Sequence, residues 1–427
     1  MIEEEYRYFA PGGAITPGGP STWFILDWDQ RRIIAVTMDE EQDSEDAALT
    51  HLKKYIDTLG PEVYAIHVSP DGELVSVSTN PEDDKTMCVY YPPLEAIQRP
   101  NHVKTVLRSH LLELDRLTPD VDLVSYMPCT DATGPTRAVF KYYFLIQFLH
   151  KLWHEMNLWM RLPTHAHIVP FDRLVLDEIH GRVVGFTSLY IPGGTICQNK
   201  ARVFELKWLR QLTCVVDDLN LKYGIAHQDI APRNLLVDPN TNALMVFDFN
   251  YSAQIGGSGY AEGRNDVKGV IFTLYEIITR DMHFRTVPFY EQDPADVQGL
   301  EEWVQHPDVQ LDHSVSEYRS VLNDWVDKRQ NGRQISHYTE ASEYIDWPDF
   351  PEPPPTDLGS SDGKGNSSVI TGVFLTTMRH RKLGENGIAV LNWERPAQAK
   401  LGNGDQVLAN GQSVPNPECT GSGEPNT

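Results

Sequence analysis

Three polar side chains suited to phosphoryl-transfer chemistry lie close together in the sequence. Asp229 and Asn234 are five positions apart in the stretch His227–Asn234, and Asp248 follows Asp229 by 19 positions, after an apolar run typical of a β hairpin. Phosphoryl transfer requires one carboxylate near the acceptor hydroxyl, and a second carboxylate with an amide oxygen to hold a divalent metal against the phosphates. The spacing predicts Asp229 in the first role and Asp248 with Asn234 in the second.

The landmarks around these residues resemble those of the protein-kinase superfamily, whose catalytic loop reads H-R-D-x-x-x-x-N and whose metal-binding motif reads D-F-G. Here the loop reads H-Q-D-I-A-P-R-N from His227, and the second motif reads D-F-N from Asp248. Arg233 matches the arginine of the tyrosine-kinase-like A-A-R-N form of the loop. The chain is also similar in part to the aminoglycoside and choline kinases, which share H-x-D-x-x-x-x-N and the later aspartate. The resemblance implies ATP and Mg²⁺ as cofactors.

The same resemblance assigns an ATP site to residues that precede the loop. Lys141 ends the stretch R-A-V-F-K and matches the lysine of V-A-I-K, which contacts the α- and β-phosphates. Glu155, on a helix predicted from about residue 147 to 161, is its candidate ion-pair partner. The stretch L-Y-I-P-G-G resembles the hinge, where backbone groups of Leu189 and Ile191 would meet the adenine.

Three residues are expected to support the reacting groups. Asp266 stands near the start of a long helix that resembles the central helix of the kinase C-lobe, where it would brace the backbone of the catalytic loop. His227 is expected to be a packed, hydrogen-bonded histidine with a structural role. Arg233 would offset charge on the transferring group.

The sequence departs from the kinase pattern at four places. No G-x-G-x-x-G precedes Lys141, and Gln228 replaces the arginine that normally pairs with an activation-loop phosphate. Asn250 replaces the glycine of D-F-G, and asparagine tolerates a positive φ better than most residues. Only 18 positions separate Asp248 from Asp266, with no A-P-E between them, so the segment that clamps a peptide substrate is shortened.

The predicted fold class is α+β, a bilobal protein kinase-like fold with a small β-rich N-lobe and a mainly helical C-lobe. Periodic patterns before residue 100 predict a hairpin, a helix and a second hairpin, as in a small appended α/β domain. The predicted domains run in chain order: accessory domain 1–100, kinase-like domain 101–347 with lobes of about 101–190 and 191–347, Pro-rich then Gly/Ser-rich linker 348–368, possible docking segment 369–401 and disordered tail 402–427.

Composition excludes several classes of protein. Lys and Arg number 36 against 60 Asp and Glu, a net charge of −24 that disfavours nucleic-acid and anionic-membrane partners. The sequence opens without a basic and apolar leader, and its apolar runs are shorter than a bilayer requires, so no signal peptide or transmembrane helix is predicted. Five scattered cysteines without C-x-x-C favour a reducing, intracellular location, cytoplasmic or nuclear.

Two functions of different classes follow from these patterns. The first is an ATP-dependent phosphotransferase, a kinase whose hydroxyl acceptor is either a protein or a small molecule. The alternative is a pseudokinase that binds nucleotide or serves as an interaction module, a hypothesis that the absent Gly-rich loop motivates. The N-terminal domain is a further candidate for binding a protein partner.

Overall fold

The computed structural model describes residues 2–128, 134–142, 144–145, 149–353, 356–361, 367–373, 379–385, 387–402 and 405–415. The strands in chain order are β1 (Tyr8–Ile15), β2 (Ser21–Asp27), β3 (Arg32–Met38), β4 (Ala65–Val68), β5 (Leu74–Ser78), β6 (Lys104–Leu107), β7 (Leu112–Thr118), β8 (Val121–Tyr126), β9 (Thr136–Tyr142), β10 (Phe171–Leu176), β11 (Val183–Leu189), β12 (Ile225–Ala226), β13 (Leu235–Asp238), β14 (Ala243–Val246), β15 (Ala253–Gln254), β16 (Thr356–Ser361), β17 (Ser367–Val373), β18 (Asp405–Leu408) and β19 (Ser413–Pro415). The α helices are α1 (Asp46–Tyr55), α2 (Leu149–Arg161), α3 (Leu206–Asp217), α4 (Asp266–Thr279), α5 (His283–Thr286), α6 (Pro294–Gln298), α7 (Val315–Asn331) and α8 (His380–Glu385).

The chain is a mixed α and β protein that divides into two compact units. The first unit comprises Met1–Leu149, Arg173–Thr187 and Phe350–Thr427, and the second comprises His150–Asp172 and Ser188–Asp349. Both units are therefore assembled from separate stretches of the chain. This division differs from the predicted boundaries, because it joins residues 1–100 to the strands that follow them.

A five-stranded sheet in the order β1-β2-β3-β4-β5 begins the first unit. As predicted, β2 with β3 and β4 with β5 form antiparallel pairs, and α1 connects β3 to the parallel strand β4. Alternate residues of β2 and β3 enter two different cores. Ile25 and Ile34 pack with α1, whereas Leu26 and Ile33 pack on the opposite face. Since both faces are covered, these strands are almost continuously apolar instead of alternating with polar residues.

The second face of this sheet shares one core with the larger sheet of the first unit. That sheet has eight strands in the order β19-β18-β7-β8-β9-β11-β10-β6. Leu26 and Trp28 pack there with Phe140 and Tyr142 of β9, and Trp393 stacks on Tyr142 at a ring-centroid distance of 4.8 Å. The accessory segment and the segment around Trp393 are thus parts of a common core.

Three arginines and three carboxylates form a buried ionic network in this unit. Its members, all at least nine-tenths buried, are Arg31, Arg116, Arg395, Asp29, Glu113 and Asp122. Arg395 donates to Glu113 at 2.6 Å and to Asp122 at 3.1 Å, while Arg31 also pairs with Asp122. The charges balance three against three, which is the condition under which buried ions are tolerated.

The end of the described chain is ordered where the sequence predicts a disordered tail. Strand β18 pairs with β7, and β19 pairs with β18. The Ala409 carbonyl also accepts a hydrogen bond of 3.0 Å from the Arg31 guanidinium. Edge pairing with a distant strand explains this order, since the tail itself is polar and Gly-rich and has little local signal. The remainder of the predicted tail, 416–427, lies outside the described residues.

The second unit is mainly helical. Helices α3, α4 and α7 contribute the fully buried residues Trp208, Phe272 and Tyr318 to its core. Asn265 precedes helix α4 as its N-cap, and its side chain accepts a hydrogen bond from the Lys268 N–H. In the part of the chain that the structure describes, no helix of either unit has both the length and the apolar character needed to cross a membrane.

Candidate active site

The loop at His227–Asn234 is held in place by a buried aspartate of α4. Asp266, only 2% exposed, accepts hydrogen bonds from the His227 N–H at 2.8 Å and the Gln228 N–H at 2.7 Å. Its Oδ2 also accepts from the Asn220 amide at 2.7 Å. The predicted role of Asp266 as a brace for this backbone is confirmed, because its carboxylate satisfies two loop N–H groups that no strand or helix would satisfy.

Asp229, Arg233 and Asn234 converge at the end of this loop. Arg233 donates to Asp229 Oδ1 at 2.5 Å, and the Asn234 amide donates to Asp229 Oδ2 at 2.8 Å. The same amide also donates to the Asp229 carbonyl at 2.8 Å, so the asparagine holds both the backbone and the carboxylate. Asn234 is buried, whereas 58% of the Arg233 side chain is exposed. The Asp229 carboxylate therefore contacts an exposed guanidinium on one oxygen and a buried amide on the other.

The hairpin of β13 and β14 places Asp248 beside this cluster. The Phe247 N–H donates to the Asn234 carbonyl at 3.3 Å, and the Phe247 carbonyl contacts His227 Nε2 at 3.1 Å. Asp248 follows directly, with a φ of 66°. A non-glycine residue in the left-handed region carries strain that the surrounding structure must offset, and such residues cluster at functional sites. Asn250, the position predicted to accept a positive φ, is not among the residues that have one.

His227 has the structural environment that its sequence position predicts. The ring is fully buried and packs against Phe249 with ring centroids 5.0 Å apart. Its contact with the Phe247 carbonyl links the loop to the end of the β13–β14 hairpin. The buried His227 ring therefore packs between its own loop and the segment Phe247–Phe249.

Gln228 organises the short segment between Asp248 and Asp266. Its amide donates to the Tyr251 carbonyl at 2.6 Å and the Gly259 carbonyl at 3.0 Å, and its carbonyl accepts from the Ala261 N–H at 2.6 Å. Gln228 also has a positive φ of 62°. Gln228 stands where the kinase pattern has an arginine, and its side chain fixes the segment with three neutral hydrogen bonds.

The predicted nucleotide-site residues lie on defined elements. Lys141 is a buried residue of β9 in the first unit, and Glu155 is a fully buried residue of α2 in the second. Their pairing stays a prediction. Leu189 is the last residue of β11, and its N–H donates to the Pro170 carbonyl at 3.0 Å. Ile191 lies two positions further along the chain. The next residues turn sharply, because Gly193 and Gly194 have φ values of 102° and 72°. The loop that would cover phosphates, 127–135, is largely outside the described residues.

The donor set at Asn234 and Asp248 fits Mg²⁺. Because the Asn234 amide nitrogen already donates to Asp229, the side-chain oxygen of Asn234 is oriented as an acceptor. That oxygen and the Asp248 carboxylate are hard ligands of the kind Mg²⁺ prefers, and Mg²⁺ usually takes only one or two protein carboxylates, with substrate phosphates completing its shell. Within the described ranges, no group of three or more His, Cys, Asp or Glu side chains could hold a metal without such help.

Two cavities of the second unit meet at Arg233. One, of about 420 Å³, is lined by Asp229 and Arg233 together with residues of the Gln228-bound segment, the start of α4 and the stretch after α5. The other, of about 230 Å³, lies on the side of Lys200 and Arg280. Sequence patterns single out Asp229 and Arg233 but miss the cationic residues Arg264, Lys268 and Arg285 of the larger cavity. The stretch R-N-D-V-K at the start of α4 is the signal that could have indicated that Arg264 and Lys268 lie close together.

Comparisons with known proteins extend over part of the chain. The chain is 33% identical over 100 residues to CBL-interacting protein kinase 15 and to CBL-interacting protein kinase 14, both from Oryza sativa subsp. japonica. CBL-interacting protein kinase 2 of the same plant matches at the same identity and length. Each match covers 22% of this chain, and the chain spans only about a fifth of the length of these relatives. No family model matches. About a fifth of the chain is therefore similar to protein kinases.

Proposed function

We propose that the chain is an ATP-dependent phosphotransferase with a bilobal protein kinase-like layout, which transfers the γ-phosphate of ATP to a hydroxyl group. The observation that carries this proposal is the cluster of Asp229, Arg233 and Asn234, braced from below by Asp266. The partial similarity to protein kinases supports the same class of activity. The proposed site adds Lys141, Glu155, Leu189, Ile191 and Asp248 to this cluster.

Asp229 would orient the acceptor hydroxyl and take its proton. Its Oδ2 is held by the buried Asn234 amide, so the carboxylate has a fixed direction. Arg233, paired with Asp229 and 58% exposed, would offset negative charge that develops on the transferring phosphoryl group. Positioning and electrostatic stabilisation, with little covalent participation of the protein, are what phosphoryl transfer requires.

The remaining residues would bind nucleotide. Asn234 and Asp248 would hold Mg²⁺, which when bound neutralises charge on the β- and γ-phosphates. Lys141 would contact the α- and β-phosphates, with Glu155 as its ion-pair partner. Because the Leu189 N–H is committed to Pro170, the adenine would meet the Leu189 carbonyl and the Ile191 N–H.

The test is ATP binding to the full chain, by thermal shift and by calorimetry, with and without Mg²⁺. We expect magnesium-dependent stabilisation that approaches about 2.7 kcal/mol when ATP is present at 100 times its Kd. Lys141→Ala should lose this shift, whereas Lys104→Ala, an exposed lysine of the same unit, should retain it. Absence of ATP binding in the wild type would contradict the proposal and favour an interaction module instead.

A further inference from the structure

We infer that the acceptor is a small hydroxyl compound that itself carries a negative charge, such as a phosphate ester or a hydroxy acid. This inference rests on the proposed function, since it names the substrate class of the same site. The larger cavity at Asp229 has a charge opposite to that of the chain as a whole.

The cavity is cationic within an acidic protein. Its lining contains four cationic side chains, Arg233, Arg264, Lys268 and Arg285, and a single carboxylate among the described residues, Asp229. The net charge of the chain is −24. The charge of this lining is therefore opposite to the net charge of the chain, and it attracts an anion to the position where a hydroxyl would meet Asp229.

Two of the four cations have carboxylate partners. Arg233 pairs with Asp229, and Arg285 pairs with Glu276 behind the cavity wall. Arg285 also donates to the Ile230 carbonyl at 3.2 Å, so this guanidinium is held by the loop that carries Asp229. These two cations are therefore each matched by a carboxylate.

Arg264 and Lys268 have no acid as an ion-pair partner in the described part of the chain. Arg264 lies over the rings of Tyr251 and Phe289, with distances of 4.7 and 4.4 Å from its Cζ to the ring centroids. The Lys268 ammonium donates to the Phe289 carbonyl at 2.6 Å and to a second carbonyl at 3.4 Å. Neutral carbonyls and rings orient these cations but do not cancel their charge.

The pKa of Lys268 is consistent with a cavity that binds an anion. Burial lowers the pKa of Lys268, and repulsion from Arg285 and Arg264 lowers it further, while Asp293 opposes them weakly. Three cations that repel one another across one cavity are stabilised together when a bound anion enters. A phosphate or carboxylate is the natural ligand, because arginine offers paired donors to such groups.

The size of the cavity favours a small molecule over a peptide. Its volume of about 420 Å³ lies in the range of small-molecule sites, about 300 to 1,000 Å³. The segment between Asp248 and Asp266 is short and fixed by Gln228, so it offers little surface on which an extended peptide could lie. The charged end of a small acceptor would lie against Arg264 and Phe289, which line the cavity.

The transfer step balances with these components alone. The acceptor hydroxyl oxygen forms a bond to the γ-phosphorus, and the bond from that phosphorus to the bridging oxygen breaks, so ADP leaves with the electron pair. The hydroxyl proton passes to Asp229 and from there to solvent. Arg264 and Lys268 bind the anionic group of the acceptor, which takes no part in bond changes.

The experiment compares acceptors in pairs that differ only in charge: glycerol 3-phosphate with glycerol, and glucose 6-phosphate with glucose. Binding is measured by calorimetry without nucleotide, and transfer is measured as ADP release with ATP and Mg²⁺. We expect the anionic member to bind at least tenfold more tightly and to have at least a tenfold higher kcat/KM. The preference should shrink as salt concentration rises.

Variants identify the group responsible. Arg264→Gln should reduce the preference for the anionic acceptor at least tenfold through KM, whereas Arg264→Lys, which keeps the charge, should preserve most of it. Arg210→Gln, an exposed arginine of α3 outside the cavity, should leave it unchanged. Equal use of charged and neutral acceptors would overturn the inference, as would an unaltered preference in Arg264→Gln.

Two further outcomes separate this inference from the function it rests on. Binding of glycerol 3-phosphate or glucose 6-phosphate that Arg264→Gln abolishes, in a chain that does not bind ATP, would support the anion site and remove the phosphotransferase. Transfer to an acidic peptide such as poly(Glu,Tyr), with no binding of either small phosphate, would support the phosphotransferase and overturn the small-molecule class.

Discussion

The ionic network of the first unit and the charged cavity of the second differ in how their cations are matched. Around Arg395, three arginines meet three carboxylates, and every member is at least nine-tenths buried. Around Asp229, four cations surround a single carboxylate in an open cavity. Balanced and sealed charges hold a fold together, whereas unbalanced and accessible charges are available to a ligand.

The comparison also shows two ways to order a segment. In the first unit, full charges fix the chain near residues 395–409. In the second, the neutral Gln228 amide fixes the segment from Tyr251 to Ala261 with hydrogen bonds only. Ion pairs between side chains depend on pH and are lost when a partner side chain is replaced. The hydrogen bonds of the Gln228 amide go to backbone groups, so they depend neither on pH nor on the identity of a partner side chain.

The sharpest test of the accessible site is Asp229→Asn beside Asp248→Asn. Asp229→Asn should lower kcat by about 10²- to 10⁴-fold with ATP binding retained, because the amide cannot accept the hydroxyl proton. Asp248→Asn should abolish magnesium-dependent ATP binding, because a metal ligand is lost. Turnover and calorimetry on both, with exposed Asp324→Asn of α7 as control, distinguish the roles. Equal loss of ATP binding in both would contradict the assignment of Asp229.

The sealed network is tested by Arg395→Met. This change leaves Glu113 and Asp122 buried with reduced compensation, so we expect the free energy of unfolding to fall by about 3 to 5 kcal/mol. Urea unfolding followed by tryptophan fluorescence measures the change. Arg137→Met, an exposed arginine of β9, should cost far less. A loss for Arg395→Met no greater than that of the control would show that the network contributes specificity and no stability.

Gln228→Ala tests amide fixation in the second unit. Removing three hydrogen bonds should favour local opening of residues 251–261 by about 2 kcal/mol. Amide hydrogen exchange in that segment should then accelerate about 30-fold, with little change elsewhere. Gln330→Ala on α7 serves as the matched control. Unchanged exchange in the segment would mean that other contacts hold it.

A smaller effect is expected on the way in which the stability of the first unit depends on pH. Although burial opposes it, the fields of Arg395 and Arg116 hold the pKa of Glu113 below its usual value. A depressed carboxylate pKa contributes stability that is fully present above the unfolded-state pKa, near 4.5, and is lost as pH falls through the folded-state pKa. Glu113→Gln should therefore flatten the acid limb of the stability curve, and exposed Glu95→Gln should not. A curve for Glu113→Gln parallel to that of the wild type would contradict this.

Elements set by local pattern could be predicted from the sequence. The β2–β3 hairpin, α1 and α4 follow from apolar periodicity with turn or cap residues at their ends. Strand β1 was not predicted, because Pro11-Gly12-Gly13 interrupts it and is typical of a turn; the structure accommodates these residues at a register shift on an edge strand. Strands β18 and β19 were missed because only distant pairing stabilises them.

The same distinction holds at the site. Asp229, Arg233 and Asn234 lie within six residues, so their convergence follows from one loop. Arg264 and Lys268 are only four positions apart, but Arg285 comes from α5, and no spacing in the sequence brings all three to the cavity of Asp229. The candidate reacting groups can thus be identified from the sequence, whereas the charged residues that surround them can be identified only from the tertiary structure.

The interrupted course of the first unit has a consequence for biosynthesis. Asp122 leaves the ribosome 273 residues before Arg395, and all of residues 188–349 are made in between. At about 5 to 20 residues per second, the carboxylate waits about 14 to 55 s for its guanidinium. The second unit can thus complete its fold on the nascent chain before the first. A chain stalled before Arg395 would present a finished second unit to cellular quality control, attached to a first unit with its acidic residues still hydrated.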